Sequence, residues 1–251
     1  MARPTGNGKS GAPPTITVVI VAYQSGPTLA RCLAGLRAQA FSDFEIVMVD
    51  NASTDGAPQA AVAANPSIRL IEAGANLGFA AGNNLAARTA RGRWLVLLNP
   101  DAYPRPDWLE TLMAATRRHA DVRSFATVQL VADEVELMDG AGDNMTSAGI
   151  PFRGGYRRRA PERLPEGEVF SACGAASLID RALFLELGGF DERFFCYCED
   201  VDFGYRLRLA GEATLLVPEA RVEHVGSATT GVRSDFAIFH GSRNRVWTFI
   251  K

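Results

Sequence analysis

The stretch Thr15-Ile16-Thr17-Val18-Val19-Ile20-Val21-Ala22 decides the fold. It is almost continuously β-branched, the side-chain shape that suits a pleated strand. It lacks the polar alternation of a half-exposed strand, so it reads as buried on both faces, as in a parallel sheet covered by helices. The sequence that follows fits that reading. Gly26-Pro27 opens a helix whose apolar positions Leu29, Cys32, Leu33, Leu36 and Ala40 keep a three-to-four spacing. A second strand, Glu45-Ile46-Val47-Met48-Val49-Asp50, ends in Asn51-Ala52-Ser53-Thr54-Asp55-Gly56, a run of turn and helix-capping residues. Ile68-Arg69-Leu70-Ile71 is a third short strand. Residues 76–82 read as a loop, 83–91 as a small-residue helix closed by Gly92, and 93–98 as a fourth strand. Strands and helices in strict alternation predict an α/β fold with right-handed crossovers.

Past Asp101 the rhythm changes. A helix is expected from Pro106 to about His119, then irregular chain over 120–168. Phe170 to Ile179 reads as a strand, followed by a short helix ending at Gly188-Gly189. Glu199 to Leu209 reads as a helix stopped by Gly211. A strand over Ala213 to Val217 leads into a polar loop around His224, and an amphipathic helix is expected from Arg243 to Lys251. Residues 1–14, rich in Gly and Pro, read as a disordered tail before one domain over 15–251.

The totals narrow the function. A net charge of −2 argues against nucleic acid as a partner, which calls for a basic face. Cys32, Cys173, Cys196 and Cys198 lack paired zinc-ligand spacing and read as reduced thiols, which predicts a cytoplasmic protein. The N-terminus has no signal-peptide pattern. No run reaches the ~18 apolar residues of a membrane span, so any membrane contact is expected to be peripheral.

Two segments carry candidate chemistry. Phe194-Phe195-Cys196-Tyr197-Cys198 runs straight into Glu199-Asp200-Val201-Asp202. Aromatic stripes belong to cores, and cores reject unpaired acids. This run therefore delivers carboxylates to the edge of an apolar pocket, where a general base belongs. Helix-dipole capping could absorb Glu199, and an i,i+4 surface ion pair with Arg206 is the simplest account of Asp202, which leaves Asp200 the hardest of the three to dismiss. The second segment is Leu97-Leu98-Asn99-Pro100-Asp101, an apolar strand ending in an acid that could offer one carboxylate to Mg2+ or Mn2+.

The other candidates have two readings each. Asp50 stands at a strand's carboxyl end beside Val21-Ala22-Tyr23, where nucleotides bind in open α/β sheets. It equally suits an Asx-turn. Asn76 to Asn84 opens a helix whose free amides would favour an anion, or is a tight turn under a close-packed helix. His224 alone reads as structural. Arg157-Arg158-Arg159 is a solvated loop or a contact for an anionic acceptor.

In this order the segments resemble the inverting GT-A glycosyltransferases of family 2, particularly the bacterial rhamnosyltransferase-like branch. The matching pieces run from Val19-Ile20-Val21-Ala22-Tyr23 through 49–56, 76–84, 97–101, 174–176, 199–206 and 224–227 to Arg243-Asn244. The resemblance implies a nucleoside-diphosphate sugar donor, such as thymidine-diphosphate rhamnose, and a glycan or lipid-linked acceptor. It implies that Ala22, Tyr23 and Asp50 hold the base, with Asn76 and Asn99 in the nucleotide site. It implies that Asp101 and His224 bind Mg2+ or Mn2+, that Asp200 is the catalytic base, and that Arg243 contacts the diphosphate. Asn99 replaces the first acid of the family's D-x-D pair. Residues 15–102 would form the nucleotide half and 103–251 the acceptor half. Relatives commonly continue into helices that touch the membrane, so the resemblance also implies a longer parent chain. The rivals are a sugar nucleotidyltransferase, which would carry a basic Gly-rich loop where this chain has Tyr23-Gln24-Ser25-Gly26-Pro27, and a non-catalytic nucleotide-sugar or glycan-binding module.

Overall fold

The computed structural model describes residues 12–226, 231 and 234–251. The tail expectation for residues 1–11 lies outside the described residues.

The first half alternates as expected: β1 (Ile16–Ala22), α1 (Gly26–Arg37), β2 (Phe44–Asp50), α2 (Ala57–Ala64), β3 (Arg69–Glu72), α3 (Gly78–Thr89) and β4 (Trp94–Leu98). These strands are parallel, in the order β3-β2-β1-β4, and every residue of β1 is buried. Alternate side chains of β1 enter different cores. Ile16, Val18, Ile20 and Ala22 meet Leu29, Cys32, Leu33 and Leu36 of α1. Val19 faces Ala80, Ala86 and Ala87 of α3. The small residues of α3 let it lie close to the sheet: a Cβ on Gly82 would stand 2.8 Å from a Val21 methyl.

The second half comprises β5 (Ala102–Pro104), α4 (Trp108–Arg118), β6 (Ser124–Val131), β7 (Glu134–Ala141), β8 (Asp143–Met145), β9 (Pro151–Arg153) and β10 (Gly167–Val169). Then come β11 (Ala176–Asp180), α5 (Arg181–Glu186), α6 (Glu199–Leu209), β12 (Thr214–His224) and α7 (Asp235–Ile250). Among the described residues, the main sheet runs β10-β12-β6-β11-β4-β1-β2-β3, with β5 also paired to β12 and β7 to β6. It is a mixed sheet with helices on both faces.

Five sequence expectations are corrected here. Residues 120–168 are irregular only in part: β6 to β9 run through 124–153, whereas 154–166 carry no helix or strand, as expected. β6 is buried along its whole length, and two of the polar residues that break its apolar pattern find partners inside. Thr127 donates to the Ala176 carbonyl at 2.9 Å, and Thr214 donates to Ser124 at 2.9 Å. β12 does not stop at Val217. Pro218 cannot donate to a ladder, so the strand bulges between Val217 and Arg221 and resumes through His224. α3 begins at Gly78 rather than Asn83, because the Asn76 side chain accepts from the Gly78 amide at 3.0 Å and caps the turn. α7 begins at Asp235 rather than Arg243, with the Ser234 hydroxyl accepting from Ala237 N at 3.1 Å. The strand expected over 170–179 is shorter, as β11, while α6 has the expected bounds.

Candidate active site

At the carboxyl end of the parallel strands, β1 and β2 finish together, with Ala22 paired to Asp50. The loops beyond them hold each other. Gln24 N donates to Ser53 Oγ at 3.2 Å, and Gly26 N donates to Asp55 Oδ2 at 2.8 Å. Buried Asp50 accepts from Ser53 N at 2.8 Å and from Gln59 Nε2 at 3.1 Å. The turn reading of Asp50 is thus realised, and Tyr23, 36% exposed, follows β1 at the same edge of the sheet. Asn76 is exposed. The amides at the start of α3 are largely used internally: Gly78 N meets Asn76, and Ala80 N donates to the Phe195 carbonyl at 3.1 Å. A Cβ on Gly78, whose φ is +80°, would fall 2.5 Å from that same carbonyl. The segment is a packing joint between α3 and the aromatic run.

Asn99 and Asp101 follow β4. Asn99 N donates to the Ala175 carbonyl at 2.8 Å, fixing the turn. β5 then pairs antiparallel with the end of β12, register Ala102 to His224. This pairing places the buried His224 Nε2 3.3 Å from Asp101 Oδ1, and Nε2 makes no hydrogen bond among the described residues. The other ring nitrogen, Nδ1, lies 2.8 Å from Asp139 Oδ2. Asp139 sits where β7 shifts register against β6, a bulge that re-aims its side chain. Arg153 binds the same Asp139 oxygen. Burial alone would lower the His224 pKa, but the carboxylates of Asp101 and Asp139 outweigh it and hold it up at about 9. A buried imidazole nitrogen without a hydrogen bond, aimed at a carboxylate and backed by a second carboxylate, is a donor set that fits a divalent cation.

Asp200 lies in the first turn of α6. Its Oδ2 accepts from Gly174 N and its Oδ1 from Val201 N, both at 2.9 Å. The segment that delivers it is strained. Phe195, Tyr197 and Cys198 all have φ between +64° and +73°, a region L-residues avoid. Asn244, fully buried on α7, holds that segment. Its Nδ2 donates to the carbonyls of Phe194, Cys196 and Tyr197 at 2.9, 2.8 and 2.7 Å. Arg243, expected at the diphosphate, donates to the Phe194 carbonyl at 3.0 Å and stacks on Trp247 at 4.2 Å.

The neighbours of Asp200 correct the sequence reading. Asp202 does pair with Arg206, at 2.9 Å, but the pair is not on the surface: Asp202 is 3% exposed and also meets Lys251 Nζ at 2.9 Å. Glu199 is buried too. Burial, and then the charge of Asp200, push its carboxyl well above the ordinary range.

Residues 17–188 match the family model described as Glycosyl transferase family 2. A Mycobacterium tuberculosis protein named N-acetylglucosaminyl-diphospho-decaprenol L-rhamnosyltransferase is 34% identical over 243 residues, covering 86% of this chain and 78% of its own length. The chain is a family 2 glycosyltransferase of the rhamnosyltransferase-like branch. The O-antigen biosynthesis protein RfbC of Myxococcus xanthus is 30% identical over 230 residues, 84% of this chain but 17% of its own. Among solved structures, GalNAc-T7 with UDP, GalNAc and Mn2+ aligns with a TM-score of 0.73 at 18% identity. That alignment covers 95% of this chain and 48% of the GalNAc-T7 chain. The mannosyltransferase PcManGT from Pyrobaculum calidifontis, in complex with GDP-Man and Mn2+, aligns at 0.63 with 21% identity, over 88% of this chain and 59% of its own. The fold is GT-A.

In this family 2 glycosyltransferase the structure brings together two of the candidates named from sequence, Asp101 and His224, and shows contacts around them and around Asp200 that the sequence reading misses. Asp139, Arg153 and Asp143 fall in the region that reads as irregular. Asn244 enters the sequence reading only as part of a matching motif. The one signal available for the supports is a polar residue within an otherwise apolar β-strand, and such a residue reads equally as loop. The four cysteines are free, as expected. No helix among the described residues is long and apolar enough to cross a membrane.

Proposed function

We propose that this glycosyltransferase moves rhamnose from thymidine-diphosphate rhamnose to a lipid-linked N-acetylglucosaminyl diphosphate, inverting the anomeric centre. The name of the mycobacterial relative supports the sugar and the acceptor class. The observation that carries the reading is one buried chain of contacts: Asp101, His224, Asp139 and Arg153, ending at Cys173 in the segment whose Gly174 amide holds Asp200. Ala22, Tyr23 and Asp50 would receive the base, with Asn76 and Asn99 along the same crevice. Residues 15–102 would serve the donor and 103–251 the acceptor.

Asp101 and His224 would hold Mg2+ or Mn2+, which when bound offsets the charge of the departing diphosphate. The remaining chemistry belongs to Asp200. Its carboxylate, fixed by two backbone amides, takes the proton of the acceptor hydroxyl. The acceptor oxygen bonds to the anomeric carbon as that carbon's bond to the diphosphate oxygen breaks, and the electron pair leaves with the nucleoside diphosphate. Attack opposite the leaving group inverts the centre. A lipid-linked acceptor would bring the protein to a membrane surface, and the outward Ile238, Phe239, Val246, Phe249 and Ile250 of α7 suit that contact.

Incubation with a panel of nucleotide sugars and a short-chain N-acetylglucosaminyl-diphospho-prenol, read by nucleoside diphosphate release, tests the reading. Turnover of thymidine-diphosphate rhamnose is expected, and Asp200→Asn should cost ~10²–10⁴ in rate while donor binding survives. An Asp200→Asn variant with more than about a tenth of wild-type turnover would remove Asp200 as the base.

A further inference from the structure

A second carboxyl group lies beside the base. The side-chain ligand atoms of Asp143, Cys173 and Asp200 all lie within 4.8 Å of one another. The fold fixes this proximity. Asp143 begins β8 and pairs across the hairpin with Arg153 of β9. Its backbone is also bonded to a second segment: Asp143 N donates to the Ser171 carbonyl at 2.9 Å, and Phe170 N donates to the Asp143 carbonyl at 2.9 Å. α6 rests directly on that segment, because a Cβ on Gly204 would stand 2.2 Å from the Ser171 Cβ. Asp200 is four residues before Gly204, on the same helix face, and so comes to Asp143.

The cluster does not suit a cation. The Arg153 guanidinium already occupies it, 3.4 Å from Cys173 Sγ. Burial pushes the Cys173 thiol up to about 12, so it is no thiolate. What remains is a pair of carboxyls that cannot both be ionised cheaply at this separation. The hydrogen bonds decide which one holds the proton. Asp200 receives two backbone amides, donors that favour an anion. No donor among the described residues hydrogen-bonds the Asp143 carboxyl, which is 5% exposed.

We infer that Asp143 is a positioning residue for the base: it carries the one proton of the pair, and so leaves Asp200 as the amide-held carboxylate that faces the acceptor. The charged groups around it agree. Burial and then Asp200 push Asp143 up to about 8; Arg153 on β9 opposes the shift, and Asp139 on β7 adds to it. Glu199 also faces the cluster and is itself pushed up, so it adds little negative charge. Above pH 8 a second charge would appear beside Asp200 and repel it from its amides.

The inference rests on Asp200 being the base, but its first test needs no turnover. In protein carrying 13C-carboxyl aspartate, the Asp143 resonance, assigned by its loss in Asp143→Asn, is expected to titrate near pH 8. In Asp200→Asn that midpoint should fall by a pH unit or more. Should Asp143→Asn not fold, Asp143→Glu supplies the assignment, because it removes the same resonance from the aspartate-labelled spectrum. An Asp143 carboxyl already ionised at pH 7, or a midpoint that Asp200→Asn leaves in place, would overturn the inference. In the transfer assay, Asp143→Asn mimics the neutral acid. It should lose the alkaline fall in kcat near pH 8 and leave the donor KM unchanged. A kcat loss as deep as that of Asp200→Asn, or a pH profile superimposable on wild type, would overturn it as well. Absence of transfer by the wild type would count against the proposed reaction, whereas the protonation of Asp143 is decided by the titration alone.

Discussion

His224 Nε2 stands 3.3 Å from Asp101 Oδ1, although the two residues belong to opposite halves of the chain. The antiparallel register of β5 against β12 makes the pair, and Val225 N closes it by donating to the Asp101 carbonyl at 3.1 Å. Asp139, behind the imidazole, fixes the ring from the other side.

Asp139→Asn is therefore expected to weaken Mn2+ binding about 10–100-fold, the usual cost of losing the group behind a ligating histidine. His224→Ala and Asp101→Asn should weaken it further. Calorimetric titration of Mn2+ in the presence of nucleoside diphosphate measures this. Wild-type affinity in Asp139→Asn would detach that residue from the ion site.

Asn244→Ala removes the shared donor of three carbonyls in the strained segment before Asp200. Buried carbonyls left without donors cost about 1–3 kcal/mol each, so a loss of at least about 2 kcal/mol in unfolding free energy is expected. Urea denaturation reads it. A change under about 0.5 kcal/mol would mean that the segment holds its shape without the clamp.

Arg157, Arg158 and Arg159 are exposed just past β9, and Arg157 Nη1 lies 3.1 Å from Glu134. Exposed pairs of this kind contribute little to folding. Reversing all three charges should raise the acceptor KM and leave the donor KM unchanged. The effect should fade at high salt, since charges are screened within ~8 Å at physiological ionic strength. Unaltered acceptor kinetics at low salt would return the tract to a solvated loop.

Glu45 of β2 ties β1 to the turn between α3 and β4. It accepts from the Thr17 hydroxyl at 2.8 Å and from Arg91 Nε at 2.8 Å. Burial alone would raise its pKa, but Arg91, Thr17 and Arg69 hold it below the ordinary glutamate value. A lowered carboxyl stabilises the fold above its unfolded pKa, and that contribution disappears as pH falls through the folded value. Glu45→Gln should cost less than about 1 kcal/mol of folding stability at pH 7, because Arg91 is solvated, and lower the melting temperature accordingly. The gap to wild type should close in acid. A gap that stays constant down to about pH 3, below the unfolded carboxyl's range, would show that the carboxylate's charge is not what matters.

Sequence alone determined the parallel half of the fold and singled out the candidate reacting groups. Buried parallel strands write themselves as unbroken β-branched runs, so β1 and β2 were legible residue by residue. Asp200 was legible because an aromatic run followed by acids is a local contradiction. The mixed half was not legible. β6 carries Ser124, Thr127 and Gln129 inside the sheet, and only partners distant in the chain, such as Ala176 and Thr214, reveal that such polar residues belong there. The tertiary structure alone decided that His224 ends a strand, that a bulge turns Asp139 toward it, and that Gly204 lets α6 approach closely enough to set Asp143 beside Asp200. Each of these depends on strand register or on the contact distance between two elements, and such distances are fixed by packing between residues far apart in the chain.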